Sequence, residues 1–134
     1  MIIINYWAVL AAAVAMFIVG AIWYMPLFGR VWMRYMDTIP NNARTPRFSM
    51  PASMVVTFLV NVVYAYVLAI VMGLANPSSA LAAAAFGFMV AAGFVVTMQI
   101  NAVLFEKRPM YAFGIVAGAN LLTSIVGALV LYYV

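Results

Sequence analysis

Cysteine and histidine are both absent from the 134-residue chain, and Asp37 and Glu106 are its only acidic residues. These absences exclude disulfides, thiolate or imidazole metal ligands, and catalysis by histidine or cysteine. Charged residues make up 6% of the chain, whereas a soluble domain carries about 25%. Hydrophobic residues make up 70%, and the mean hydropathy is +1.19. The composition therefore predicts a non-enzymatic integral membrane protein without catalytic, cofactor-binding or metal-binding residues.

The hydrophobic residues fall in four long runs. A membrane-crossing helix requires about 20 residues, and each run is at least that long. Pro26 disfavours continuation of the helix at the end of the first run, and Asn76 and Pro77 end the helix after the second. The predicted spans are residues 6–28, 52–75, 80–105 and 110–134. The sequence therefore predicts an all-α fold, a four-helix membrane bundle with short loops that forms a single transmembrane domain over residues 1–134.

Every basic side chain lies in one of two predicted connections. These residues are Arg30, Arg34, Arg44 and Arg47 in the loop of residues 29–50, and Lys107 and Arg108 before the fourth span. Because short cytoplasmic loops are enriched in lysine and arginine, both connections are predicted to face the cytoplasm and both termini the opposite side. The formal net charge of +4 then indicates attraction to anionic membrane lipids rather than binding of nucleic acid.

Residues 28–36 are predicted to form a short interfacial helix after the first span. Arg30 and Arg34 are four residues apart and share one face of such a helix, while Trp32 and Tyr35 suit the depth of the lipid headgroups. The two guanidinium groups are candidates for contact with lipid headgroups. The alternative is a tie at the cytoplasmic face, in which one of them pairs with Glu106.

The central parts of the spans contain no Asp, Glu, Lys, Arg or His, which argues against an intramembrane enzyme or a proton-coupled transporter. The candidate polar seam is neutral and consists of Asn61, Gln99, Asn101 and Asn120. These amides either hold neighbouring helices together through hydrogen bonds or line a path for a neutral solute. Gly114 and Gly118 form a GxxxG pair for close helix packing, either within one bundle or between two chains.

Two stretches carry a family resemblance: GAIWYMPLFGRVW over residues 20–32 and NAVLFEKRP over residues 101–109. They resemble the domain of unknown function 1761 family of small bacterial and archaeal membrane proteins, in span order and loop lengths as well as in these motifs. The resemblance implies a compact four-helix fold in the cytoplasmic (inner) membrane of a prokaryote and no established activity. It also implies a joint role for Trp23, Tyr24, Pro26, Gly29, Trp32 and Glu106. Asn120 stands where a histidine is frequent in that family.

The leading functional prediction is a protein that acts through helix packing, as a homo-oligomer or as an accessory subunit of a larger membrane complex. It depends on the small extramembrane mass, the lack of charge inside the spans and the small residues of the last two helices. The alternative is a small transporter or channel for a neutral or weakly polar solute. The expected partners are membrane lipids together with copies of the chain or a larger complex, and no cofactor is expected.

Overall fold

The computed structural model describes residues 4–39 and 49–134. In them, four helices are long and apolar enough to cross a membrane, and we call them the first to fourth spans: Tyr6–Leu27, Pro51–Ala75, Ala80–Phe105 and Met110–Tyr133. A shorter surface helix covers Gly29–Met36, and no strand occurs in the described ranges. The all-α fold with four membrane-spanning helices is thus confirmed. Arg44 and Arg47 of the predicted basic loop lie outside the described residues.

Short polar side chains and backbone turns define the ends of the spans. The Asn5 side-chain oxygen accepts hydrogen bonds from two backbone N–H groups of the first turn, at 3.1 and 3.3 Å. The Ser79 hydroxyl accepts one from the Ala82 N–H at 3.1 Å, which makes it the N-cap of the third span. Asn76 adopts the left-handed conformation, with φ 51°, and ends the second span. The second and third spans are therefore joined by a tight turn.

Two spans contain a π-helical segment. The first is Trp23–Leu27, where Pro26 lies inside the helix and the Phe28 N–H donates to the Trp23 carbonyl at 3.0 Å. Proline has no N–H group for the α-helical hydrogen-bond pattern, so the wider turn accommodates it. The second segment, Ala91–Val96, lies near the middle of the third span. Each segment changes the direction of the side chains that follow it along the helix.

The fourth span is the central helix of the bundle, because it packs along both the first and the third spans. The second span packs mainly on the first and meets the third chiefly along Ala80–Val90. The ring of four helices is consequently open between the second and third spans at one end. We call this the basic end, because Arg30, Lys107 and Arg108 lie there, and we call the opposite end, with the turn of residues 76–79, the terminal end.

Four buried residues of the fourth span, Ala112, Ile115, Ala117 and Ala119, lie in the basic half of the bundle. The larger buried core, formed by two clusters, occupies the half next to the terminal end. We call it the dry core, and its members are Val9, Ala12, Ala13, Met16, Ala65, Leu68, Met72, Ala83 and Ala128. Gly87 lies so close to the fourth span that a Cβ atom there would come within 2.7 Å of the Ser124 carbonyl oxygen. Small residues therefore bring the helix backbones together in this half.

Candidate functional site

A cavity of about 340 Å³ lies between the first, second and fourth spans and extends from mid-span towards the basic end. It is lined by Met16, Phe17, Gly20, Ala21, Tyr24, Met25, Ser53, Met54, Thr57, Asn61, Ala119, Asn120 and Thr123. We call it the basic-end cavity. From Ser53 to Asn61 the second span rises about 12 Å, so the cavity reaches deep into the apolar part of the bundle. Among residues 4–39 and 49–134, no charged side chain lines it.

Two carboxamides line the deep end of the basic-end cavity without a protein partner. Within residues 4–39 and 49–134, the side chains of Asn61 and Asn120 form no hydrogen bond, and both residues are half-buried. By contrast, the Thr57 hydroxyl donates to the Ser53 carbonyl at 2.8 Å. An amide placed in an apolar medium without a hydrogen bond costs several kcal/mol. The two carboxamides therefore need water or a polar molecule inside the cavity.

The Thr123 hydroxyl also bonds within its own helix, donating to the Asn120 backbone carbonyl at 3.2 Å. A threonine hydroxyl that donates in this way keeps lone pairs that can accept a hydrogen bond. A carboxamide offers both an N–H donor and a carbonyl acceptor. The described lining of the basic-end cavity therefore presents donors and acceptors together, without a formal charge. This combination suits a neutral molecule that can both give and receive hydrogen bonds.

A smaller cavity of about 150 Å³ adjoins the first and faces the opening between the second and third spans. We call it the side cavity, and it is lined by Met16, Val60, Asn61, Tyr64, Val95, Asn120 and Thr123. Asn61 and Asn120 thus line both cavities. Val95 belongs to the π-helical segment of the third span, which therefore contributes to the side cavity.

A chain of hydrogen bonds closes the bundle on the terminal side of these cavities. The Tyr64 hydroxyl donates to Ser124 Oγ at 2.8 Å, and the Ser124 hydroxyl donates to the Gly87 carbonyl at 2.8 Å. Ser124 is completely buried. This chain links the second, fourth and third spans where the dry core begins. The polar atoms of this region satisfy one another, unlike the carboxamides of the basic-end cavity.

The four residues of the predicted polar seam separate in the structure. Asn61 and Asn120 line the same two cavities, whereas Gln99 and Asn101 line neither of them. Asn101 is exposed on the third span. The side-chain oxygen of Gln99 is buried and has no hydrogen-bond partner in the described part of the chain. Sequence reasoning missed Met16 and Ser53 as lining residues, although Ser53 precedes Thr57 by one helical turn.

The two glycines of the GxxxG pair have different surroundings. A Cβ atom on Gly118 would come within 2.7 Å of the Trp23 indole ring, whereas one on Gly114 would meet nothing within 4 Å. The Trp23 indole N–H also donates to the Ile115 carbonyl at 2.9 Å. Gly118 therefore contributes to packing between the first and fourth spans of one chain. Gly114 is exposed and has no such contact within the described residues.

The predicted charged tie is not formed at the basic end. Arg30, Arg34 and Glu106 are all exposed, and no ion pair joins them in the described residues. Aromatic contacts connect the surface helix to the bundle instead. The rings of Tyr24 and Trp32 lie 5.1 Å apart, and those of Tyr35 and Tyr111 lie 6.1 Å apart, both edge to face. The first and fourth spans thus hold the surface helix through tyrosine and tryptophan.

The described residues contain no group of three or more His, Cys, Asp or Glu side chains that could hold a metal ion. The family profile described as "Protein of unknown function (DUF1761)" matches residues 7–132. The chain belongs to the DUF1761 family. No curated protein and no solved structure matches this chain. Its function is therefore inferred from the arrangement of its own residues.

Proposed function

We propose that this protein is a small transporter or channel that holds a neutral or weakly polar solute in the basic-end cavity. The observation that carries the proposal is the pair of unpartnered carboxamides, Asn61 and Asn120, at the deep end of that cavity. Their side-chain atoms remain accessible from the cavity, and an amide left in apolar surroundings without a hydrogen bond is costly, so a polar molecule bound there accounts for their presence. The described residues of the lining carry no charge, which favours a neutral solute over an ion.

The proposed route leads from the basic end to the cavity and then across the dry core. A second pocket of about 340 Å³ lies at the terminal end and includes Ala8 and Met72 in its lining. The first span rises about 12 Å between Ala8 and Met16, which is the length of packed core that separates the two pockets. Passage therefore requires the dry core to open, and Met16, with its flexible side chain, is the residue that closes the cavity.

We further propose that the basic end faces the cytoplasm, so that the cavity takes up solute from that side. The support is the position of Arg30, Arg34, Lys107 and Arg108 at one end of the bundle, because short cytoplasmic connections are enriched in such residues. The proposed location is the cytoplasmic membrane of a prokaryotic cell, with both termini on the outer side.

Flux in reconstituted vesicles tests the proposal, with glycerol and urea as neutral probe solutes. After a hyperosmotic step with either probe, vesicles that contain the protein should recover their volume faster than empty vesicles. We expect Asn61→Leu to abolish this difference. Asn101→Leu is the matched control, because it makes the same change at an exposed position outside both cavities. Flux equal to that of empty vesicles for both probes, or equal loss in both variants, would contradict the proposal.

A second candidate function is helix packing in a homo-oligomer or with a larger membrane complex. It is favoured by Gly93 and Gly114, at each of which an added Cβ would meet nothing within 4 Å. Open glycines on a membrane helix allow another helix to approach closely. The mass of the protein after gentle detergent extraction tests it. A mass above that of one chain that falls in Gly114→Leu supports this function, and a monomer without partners excludes it.

A further inference from the structure

We propose that the solute is a neutral amphiphile, which enters the side cavity from the bilayer through the opening between the second and third spans. Its head is uncharged and both donates and accepts hydrogen bonds, as an alcohol or an amide does. Its alkyl chain stays on the outer surface of the second span. This inference rests on the proposed function and names the class of solute that the same site takes.

The first argument is the position of the opening. The second and third spans meet chiefly along Ala80–Val90, so they are separate at the depth of the π-helical segment Ala91–Val96. The side cavity lies there, with Val60 on one side and Val95 on the other. An opening between two helices at this depth faces hydrocarbon rather than water. A molecule dissolved in the bilayer therefore has direct access to Asn61 and Asn120.

The second argument is an apolar groove that leads into the side cavity. We call it the valine groove, a shallow apolar depression on the surface of the second span alone, formed by Val56, Leu59, Val60, Val63, Tyr64 and Val67. Val60 and Tyr64 line both the valine groove and the side cavity. From Val56 to Val67 the groove follows about 16 Å of helix. One molecule can thus lay an alkyl chain in the groove and its head against the carboxamides.

The third argument is the chemistry of the deep end. Asn61 and Asn120 each present an N–H donor and a carbonyl acceptor, and the Thr123 hydroxyl oxygen retains accepting lone pairs. The lining residues that the structure describes include no cation to neutralise a phosphate and no carboxylate to pair with an amine. A charged lipid head would therefore be buried without a counter-charge, which is strongly unfavourable. A hydroxyl or an amide satisfies the site without that cost.

Photochemical capture tests the inference. The probe is a sixteen-carbon alcohol that carries a diazirine and a terminal alkyne, added to vesicles containing the full-length protein. We expect cross-links at Val60, Tyr64 and Val95, and capture that falls roughly fivefold for each hydrogen-bonding carboxamide removed by Asn61→Leu or Asn120→Leu. The phosphate monoester of the same chain is expected to give no capture at these residues.

Two matched substitutions keep the test sharp if the asparagine variants fold poorly. Val60 and Val55 are each 59% exposed on the second span, but only Val60 lines the valine groove and the side cavity. Val60→Trp is expected to block capture, and Val55→Trp is expected to leave it unchanged. Equal capture in these two variants, or equal capture of alcohol and phosphate, would overturn the inference.

The outcomes also separate the inference from the proposed function. In one outcome, glycerol and urea flux depends on Asn61, but alcohol capture is unchanged in Val60→Trp. This outcome contradicts the amphiphile site and still supports the solute pathway. Alcohol capture that depends on Val60, Asn61 and Asn120, without any glycerol or urea flux, supports the amphiphile site and excludes the pathway for small water-soluble solutes.

Discussion

The two halves of the bundle are built from the same four spans, yet their polar side chains differ in whether they form hydrogen bonds with the protein. In the terminal half, Ser124 is completely buried, but it donates to Gly87 and accepts from Tyr64. In the basic half, Asn61 and Asn120 line a cavity and have no hydrogen-bond partner in the described residues. Polar groups that satisfy one another stabilise a dry core, whereas unpartnered ones mark the half that must admit another molecule.

The difference coincides with a change in helix geometry along the spans. Alanines and Gly87 let the backbones approach in the terminal half. The π-helical segments Trp23–Leu27, at the basic end, and Ala91–Val96, near mid-span, interrupt the regular α-helical packing surface of two spans. The second and third spans separate there, and space remains between the helices.

The largest expected effect comes from adding a methyl group to the close helix contact. Gly87→Ala places Cβ against the backbone of the fourth span and should lower the free energy of unfolding by about 3 kcal/mol. Gly93→Ala, in the same span, meets open space and should raise it by up to about 1 kcal/mol through helix propensity. Unfolding titrations with SDS in mixed micelles measure both. Equal effects would remove the distinction between the two halves.

Removing the buried hydroxyl should have the next largest effect. Ser124→Ala leaves the Tyr64 hydroxyl and the Gly87 carbonyl without their partner and should cost about 2 kcal/mol. Tyr64→Phe should cost about 1 kcal/mol, and the double variant less than the sum. Thr97→Val is the control, because the Thr97 hydroxyl bonds only within its own helix on an exposed face. Strict additivity in this cycle would contradict the hydrogen-bond chain.

Removing a polar group from the basic half should act in the opposite direction. Asn61→Leu replaces an unpartnered carboxamide by an apolar side chain, and the free energy of unfolding should stay constant or rise by about 1 kcal/mol. The same variant should lose solute flux. A loss of stability comparable to that of Ser124→Ala would indicate that Asn61 holds the helices together, which is the packing interpretation of the polar seam.

The smallest effect is expected at the basic end itself. Glu106→Lys should change the free energy of unfolding by less than about 0.5 kcal/mol, because Glu106 is exposed and forms no ion pair with Arg30 or Arg34 in the described residues. A double-mutant cycle with Arg30→Glu measures the coupling directly. A coupling above about 1 kcal/mol would restore the predicted charged tie.

The spans and their ends are readable from the sequence because hydropathy, proline and capping residues act locally. The predicted bounds lie within one residue of those observed, and Ser79 is a typical capping residue at the start of the third span. The sequence does not reveal that Asn61 and Asn120 line the same cavities while Gln99 and Asn101 line neither. The spans are apolar on nearly all faces, so no polar stripe reveals how each helix is rotated against its neighbours.

Two further features depend on packing that spacing alone does not reveal. The π-helical segment Ala91–Val96 changes the phase of the third span, so the directions of Gln99 and Asn101 cannot be extrapolated from a regular helix. Gly118 matches the GxxxG pattern, but its contact is the Trp23 side chain of another span. The motif predicts close packing without naming what packs there.

Thiol accessibility tests the contrast between the two halves most directly, because the chain has no cysteine of its own. Single-cysteine variants at Ser53, Thr57 and Asn61 sample the cavity, and variants at Ala12, Ala65 and Leu68 sample the dry core. With a membrane-impermeant thiol reagent added on the side of the basic end, the cavity series should react and the core series should not. Equal reactivity in the two series, or a protected thiol at position 61, would contradict a hydrated cavity above a closed core.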